Sequence, residues 1–217
     1  MSNRDIEGKT VLVTGAFGGI GQALVQALLE AGAAQIIAAS RSPQPSNDRR
    51  IVTATLDVRD QASVAALAKT HPVDILINNS GVNANTGPLA VNATEDARNE
   101  MDANYFGLLN MCWAFAPPMV ARGNGVIVNI LSTGALKVLP RMTSYCASKA
   151  AAWSLTQGLR AELEGKGIDV IAMLPGATDT RLTAHLTIPK LSPKTVADAT
   201  IAAIRDGVLE RTVTLTS

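Results

Sequence analysis

Four glycines, Gly15, Gly18, Gly19 and Gly21, follow the short β-rich run Thr10–Thr14 and open a stretch in which Leu24, Ala27 and Leu28 recur at helical spacing up to Glu30. A strand that turns through glycines straight into a helix is the first half of a βαβ unit, so it commits the chain to parallel strands with helical crossovers. The turn also carries chemistry. Amides at a helix N-terminus attract an anion, and glycines let a pyrophosphate approach the backbone. A glycine cluster alone is often a flexible turn; the strand before it and the helix after it favour the phosphate reading.

The rest of the chain keeps the alternation. Strands are expected at Gln35–Ala39, Ile51–Leu56, Asp74–Asn78, Val126–Ile130 and Asp169–Leu174, with an edge strand at Thr212–Leu215. Helices are expected from Gln61, from Glu95 to about Val120, over Thr143–Glu164 and over Pro193–Asp206, with Pro117-Pro118 kinking or ending the second of these. Alternation of this kind gives an α/β fold, a doubly wound Rossmann-type parallel sheet with helices on both faces. Its 217 residues fit one dinucleotide-binding and catalytic domain spanning 1–217, with no repeat or interdomain linker.

Composition narrows the partners. A net charge of +1 with 17% charged residues leaves no basic stripe for nucleic acid. Thr10–Leu29 carries no charge, but its glycines divide it into a strand and a helix, so no membrane span is expected. The polar start, Met1 to Lys9, does not read as a secretory signal, and Cys112 and Cys146 form no disulfide framework; a reducing cytoplasm fits. His71 and His185 lack companions at metal-ligand spacing and read as surface or rim residues, so no metal site is expected. Trp113 and Phe115 read as core or subunit contacts, and Cys146 as packing.

In dinucleotide sites an acidic residue after the second strand holds the ribose hydroxyls, whereas an arginine accepts a 2′-phosphate. Here that strand ends Ala38-Ala39-Ser40-Arg41, so NADP(H) is favoured over NAD(H), with Ser40 adding a hydroxyl. Further on, Tyr145 and Lys149 stand four apart on one helix face. The ammonium would favour phenolate and lower a phenol pKa that is about 10 when free. Ser132 follows the strand at Val126–Ile130, at the edge where open sheets bind ligands.

In these motifs the chain resembles the short-chain dehydrogenase/reductase family, from about Gly8 to Thr180. Thr14, Gly15, Gly19 and Gly21 match its Thr-Gly-x-x-x-Gly-x-Gly turn, Asp57-Val58 its adenine-contacting pair, and Asn78-Asn79-Ser80-Gly81 its Asn-Asn-Ala-Gly segment. Asn104, Ser132, Tyr145 and Lys149 fit its catalytic tetrad, and Pro175-Gly176-Ala177-Thr178-Asp179-Thr180 its segment beside the nicotinamide. The resemblance implies a cofactor set of Gly15, Phe17, Gly19, Ile20, Gly21, Ser40, Arg41, Asp57, Val58, Asn79, Ser80, Gly81, Tyr145, Lys149, Pro175, Gly176, Thr178 and Thr180.

It implies roles as well. Tyr145 would be general acid in carbonyl reduction and base in alcohol oxidation, and Ser132 would hold the substrate oxygen. Lys149 would bind the nicotinamide ribose, and Asn104 would hold a water linking Lys149 to solvent. The expected activity interconverts a ketone or aldehyde and an alcohol, in a homodimer or homotetramer built through the helices at Glu95–Val120 and Thr143–Glu164. Family chains carry more residues after the proline-glycine segment; Thr180–Ser192 leaves room for a short lid. The alternative is a regulator of the same fold that binds NADP(H) without turnover. Both tyrosine and lysine are retained, which speaks against it. An epimerase or dehydratase would have a different glycine spacing and a larger substrate region.

Overall fold

The computed structural model describes residues 4–215. Its strands are β1 (Thr10–Thr14), β2 (Gln35–Ser40), β3 (Ile51–Thr55), β4 (Ile75–Asn78), β5 (Gly125–Ile130), β6 (Ile168–Pro175) and β7 (Glu210–Val213). Between them run helices α1 (Gly19–Glu30), α2 (Gln61–Thr70), α3 (Ala93–Met101), α4 (Gly107–Arg122), α5 (Thr143–Glu162) and α6 (Pro193–Asp206). All seven strands pair parallel in the order β3-β2-β1-β4-β5-β6-β7. The chain winds outward from β1 to β3 and then from β4 to β7, so the order reverses between β1 and β4. Crevices at the carboxyl ends of such a pair are where doubly wound sheets take ligands.

Period-two alternation explains the layers. Val11 and Val13 of β1 face a core shared with Leu24 and Leu28 of α1 and Val196, Ile201 and Ile204 of α6. Leu12 points the other way, into a core built with Val64 of α2, Met111, Phe115 and Met119 of α4 and Ala152 of α5. Helix ends follow local chemistry: the Asp60 carboxylate accepts from the amides of Ala62 (3.0 Å) and Ser63 (3.2 Å) to start α2. Gly123 (φ 63°) and Gly207 (φ 67°) close α4 and α6 in the left-handed conformation.

The long helical region departs from expectation in two ways. Asp102–Phe106 forms a π-turn between α3 and α4, with the Gly107 amide donating to the Asp102 carbonyl. And α4 runs through Pro117-Pro118 to Arg122. Both prolines lie with Trp113 on the exposed face, where the carbonyls they leave without amide donors can turn to water, while Phe115, Ala116 and Met119 hold the opposite face in the core. No helix among the described residues is long and apolar enough to cross a membrane.

Candidate active site

The glycine turn at the end of β1 is shaped by close approach. Gly15 has φ 62°, and a Cβ on Gly21 would be driven into the Gly15 carbonyl oxygen and the Ala16 backbone. A Cβ on Gly19 would stand 2.9 Å from Thr180 Cγ2, so the segment after β6 packs down onto the turn. Asn79 fastens the turn to the end of β4: its Nδ2 donates to the carbonyls of Thr14 (3.0 Å) and Gly15 (3.1 Å). The Thr14 hydroxyl accepts from the amides of Asn79 (2.9 Å) and Ser80 (3.0 Å).

From this turn a cleft of about 700 Å³ runs along the carboxyl edge, within the ~300–1,000 Å³ range of small-molecule sites. Gly15, Phe17, Gly19, Ile20, Gly21, Ser40, Arg41, Asp57, Val58, Asn79, Ser80, Gly81, Tyr145, Lys149 and Thr180 all line it. Pro175, Gly176 and Thr178 do not. The Gly176 amide is taken by the Val213 carbonyl (2.8 Å), and the Thr178 hydroxyl turns back to the Gly176 carbonyl (3.0 Å). The lining also includes Arg59, Arg181 and Leu182, which sequence reasoning passed over.

At the β2 end of the cleft, Arg59 grips Asp57 with Nη2 at 2.6 Å from Oδ2 and Nε at 3.0 Å from Oδ1, and it reaches Asn99 of α3 (3.3 Å). The guanidinium holds the Asp57 carboxyl below the usual range, so it is charged but neutralised. Arg41 and Ser40 therefore face a region without an unpaired acid, which suits a phosphate better than a ribose diol.

At the other end, the Gly134 amide donates to Ser132 Oγ (3.0 Å), and Ser132 stands beside the Tyr145 phenol and favours its ionised form. Lys149 Nζ lies 5.9 Å from the centre of the Tyr145 ring and donates to the Ile130 carbonyl (3.1 Å). Tyr145 as a residue is half-buried, yet desolvation pushes its phenol up to about 12, against the pull of Ser132 and with a smaller push from Cys146 and Glu100. Burial pushes Lys149 down to about 8. The expected lowering of the phenol pKa by the ammonium is not found: the shift is upward, desolvation is its largest cause, and the one lowering influence is Ser132. At neutral pH the phenol keeps its proton, and Lys149 keeps most of its charge.

Asn104 sits in the π-turn. Its Oδ1 accepts from the Val82 amide (2.9 Å), and its Nδ2 donates to the Val82 carbonyl (2.9 Å) and to Ser148 Oγ (2.9 Å). Ser148 donates in turn to the Tyr145 carbonyl (2.7 Å). Glu100, one turn earlier and 1% exposed, accepts from the Ala84 amide (2.8 Å) through Oε1. Two side chains of one helical face therefore hold the loop after β4 at alternate residues. Ser148, three positions after Tyr145, was within reach of a spacing argument; nothing in the sequence marks Glu100 as buried.

Behind Lys149 is a small cavity of about 10 Å³, lined by Thr14, Asn78, Ser80, Asn104 and Lys149 among its polar residues. That is at the lower limit, ~10–15 Å³, for one water. Asn78 lines it, and Asn78 Oδ1 has no partner among the described residues. Beneath, Asn78 Nδ2 donates to Asn129 Oδ1 (2.9 Å), and Asn129 Nδ2 donates to Thr156 Oγ1 (2.9 Å). No group of three metal-ligating side chains occurs among the described residues.

The segment after β6 is compact. Thr178 and Leu191 pair in a parallel bridge, with the Asp179 amide on the Leu191 carbonyl (2.8 Å) and the Leu191 amide on the Ala177 carbonyl (2.8 Å). The Thr183 hydroxyl donates to the Thr178 and Thr180 carbonyls. Loop 180–190 is thus a tethered excursion over the cleft.

Comparison with known proteins agrees with this geometry. A sequence profile described as short chain dehydrogenase matches residues 9–190. The chain is 31% identical to ketoacyl reductase HetN of a Nostoc species, an alignment covering 94% of this chain and 78% of that protein. It is 35% identical to oxidoreductase UcpA of Escherichia coli, covering 81% and 71%. A crystal structure of a short chain dehydrogenase from Burkholderia cenocepacia in complex with NADP superposes with a TM-score of 0.92 at 39% identity, over 99% of this chain and 90% of that one.

Proposed function

The chain belongs to the short-chain dehydrogenase/reductase family, and on that footing we propose that this oxidoreductase uses NADP(H) to interconvert a ketone or aldehyde and an alcohol. The observation that carries this reading is that Tyr145, with Ser132 beside its phenol, and Lys149 line one end of a cleft whose other end is lined by Arg41.

The residues fit the cofactor. A turn kept tight by the missing Cβ of Gly21, with its amides at the start of α1, and Arg41 beside an already neutralised Asp57, are suited to a pyrophosphate and a 2′-phosphate. When bound, the reduced nicotinamide supplies the hydride. Gly15, Gly19 and Ile20 hold the pyrophosphate, Ser40 and Arg41 the phosphorylated ribose, and Lys149 the second ribose. Ser132 and the Tyr145 hydroxyl donate to the substrate oxygen as it gains charge, and Tyr145 then gives up its proton. A neutral phenol at pH 7 suits the reductive direction. The small cavity puts a water-sized space between Lys149 and the π-turn that carries Asn104, a route by which the proton returns. Both Nδ2 protons of Asn104 are engaged, on Val82 and Ser148, while Oδ1 accepts from Val82 and keeps a second lone pair, so Asn104 fixes the turn and can still accept from a water in that space.

We assign the protein to the cytoplasm and to a homo-oligomer. Phe106 and Trp113, seven residues apart on α4 and its π-turn, are 48% and 56% exposed on one face, the face a second copy would cover.

The test is paired NADPH and NADH binding to the purified protein, followed by cofactor oxidation across a ketone and aldehyde panel with Tyr145→Phe as control. Tight NADPH binding with tyrosine-dependent turnover is expected. Binding without turnover would instead favour a regulator, and no binding would remove the premise.

A further inference from the structure

Charge on the loops that frame Tyr145 is lopsided. Segments 131–142 and 179–191 hold Lys137, Arg141, Arg181 and Lys190 against one carboxylate, Asp179, whereas the whole chain balances 19 Lys and Arg with 18 Asp and Glu. Asp179 is already matched, its Oδ1 lying 3.6 Å from Lys190 Nζ. Lys137, Arg141 and Arg181 are exposed and have no acidic partner among the described residues. The third framing loop, 79–92, carries no charge. Glu100, whose charge is felt at the Tyr145 phenol, is buried behind that loop with Oε1 on the Ala84 amide.

Apolar side chains alternate with these cations. Leu136 and Val138 flank Lys137, and Leu182 follows Arg181; all three are exposed, and Arg181 and Leu182 line the cleft together with Tyr145. A lone exposed leucine means little, but the unpaired Arg181 beside Leu182 on the cleft wall, with Leu136, Lys137 and Val138 exposed on the loop that follows Ser132, makes a surface suited to an amphiphile. Arg141, four residues before Tyr145, has φ 61°. For a non-glycine residue that conformation costs about 1–2 kcal/mol, and strain of this kind collects at ligand clamps.

Resting on the reductase reading, we infer that the substrate is a carbonyl compound with an apolar body ending in an anionic group, its carbonyl at Ser132 and Tyr145 and its anion held by Arg181 and Arg141. The anion takes no part in bond changes. One hydride from NADPH adds to the carbonyl carbon and one proton from Tyr145 to its oxygen, leaving NADP⁺ and the hydroxy anion.

The probes are 7-oxooctanoate and its methyl ester, which share a ketone and an apolar chain and differ in charge. Their dissociation constants are measured on protein saturated with NADP⁺, where no hydride is available, and their kcat/KM values with NADPH. The acid is expected to bind about tenfold tighter than the ester at low ionic strength, because charge-assisted hydrogen bonds to the guanidiniums are open to the acid alone. The preference should collapse at high salt and in Arg141→Gln/Arg181→Gln, and return when both are lysine. An ester that binds as well as the acid, or a preference indifferent to both arginines, overturns the inference and leaves the reductase reading standing. Failure to bind NADP⁺ at all overturns that reading, and this inference with it.

Discussion

The side-chain amide of Asn104 and the main chain of Val82 clasp each other, with the Val82 amide on Oδ1 and the Val82 carbonyl on Nδ2, both at 2.9 Å. The same Nδ2 reaches Ser148, which holds the Tyr145 carbonyl. One amide thus joins the loop after β4 to the helix that presents the phenol. In Asn104→Asp an acceptor replaces the donor that faces Val82 and Ser148. A buried acceptor left without a partner costs about 1–3 kcal/mol, so the urea midpoint should fall, and turnover should drop more than NADPH affinity. A variant as stable as the parent would show that the clasp is dispensable.

Tyr145→Phe removes the proposed proton donor beside Ser132 but little volume. Carbonyl reduction should be lost, with NADPH binding close to parental. Turnover near the parental rate would sink the assignment of Tyr145 as acid.

Gly21 and Gly18 make a matched pair. A Cβ at Gly21 meets the Gly15 carbonyl, whereas one at Gly18 comes no nearer than 3.4 Å to it. Gly21→Ala should therefore force the turn open, cost about 1–3 kcal/mol as overpacking does and weaken NADPH binding. Gly18→Ala should be mild in both. Thermal melts and fluorescence titration compare them; equal effects would mean that the turn is not held by the Gly15–Gly21 approach.

Arg41→Asp replaces a proposed phosphate partner with a carboxylate. A charge-assisted hydrogen bond is worth about 1.5–3 kcal/mol, so the NADPH-to-NADH affinity ratio should fall by about tenfold to a hundredfold. An unchanged ratio would mean that other residues read the ribose.

Lys149 and Tyr145 give pH signatures of opposite sign. Burial holds Lys149 at about 8 against its ordinary 10.5, so between those values the unfolded chain binds the extra proton and stability rises with pH; below 8 the cost is fully present. Tyr145 and Cys112 are both pushed up to about 12, from 10.0 and 9.0, so each contributes stability that is lost as pH rises from its ordinary value to about 12. The difference in urea stability between parent and Lys149→Met should shift in favour of the parent from pH 8 to 10.5. NADPH affinity should weaken as pH rises through about 8, where the ammonium is lost. A pH-independent stability difference would contradict the buried lysine.

The strands were legible because parallel strands buried on both faces read as short apolar runs between turn residues, as at Val11–Val13 and Ile75–Ile77. The glycine turn was legible because Gly15 and Gly21 are needed for backbone reasons that leave a residue-level mark. The π-turn at Asp102–Phe106 was not, since which carbonyl an amide selects is settled by what Asn104 must reach. The sense of the Tyr145 shift also escaped. Spacing shows that a cation is near a phenol, but desolvation depends on everything else packed around it. Arg59 left no mark, because nothing in the run Asp57-Val58-Arg59 shows that the guanidinium turns back onto the carboxylate two residues earlier.

The bridge between Thr178 and Leu191 fixes when the excursion over the cleft loses its conformational freedom. With both ends joined to each other and Thr183 tied to the carbonyls of Thr178 and Thr180, most of that entropy is surrendered as the chain folds, not each time a ligand arrives. Ligands therefore meet a surface already set, and discrimination among them falls to which side chains point inward more than to how readily the loop closes.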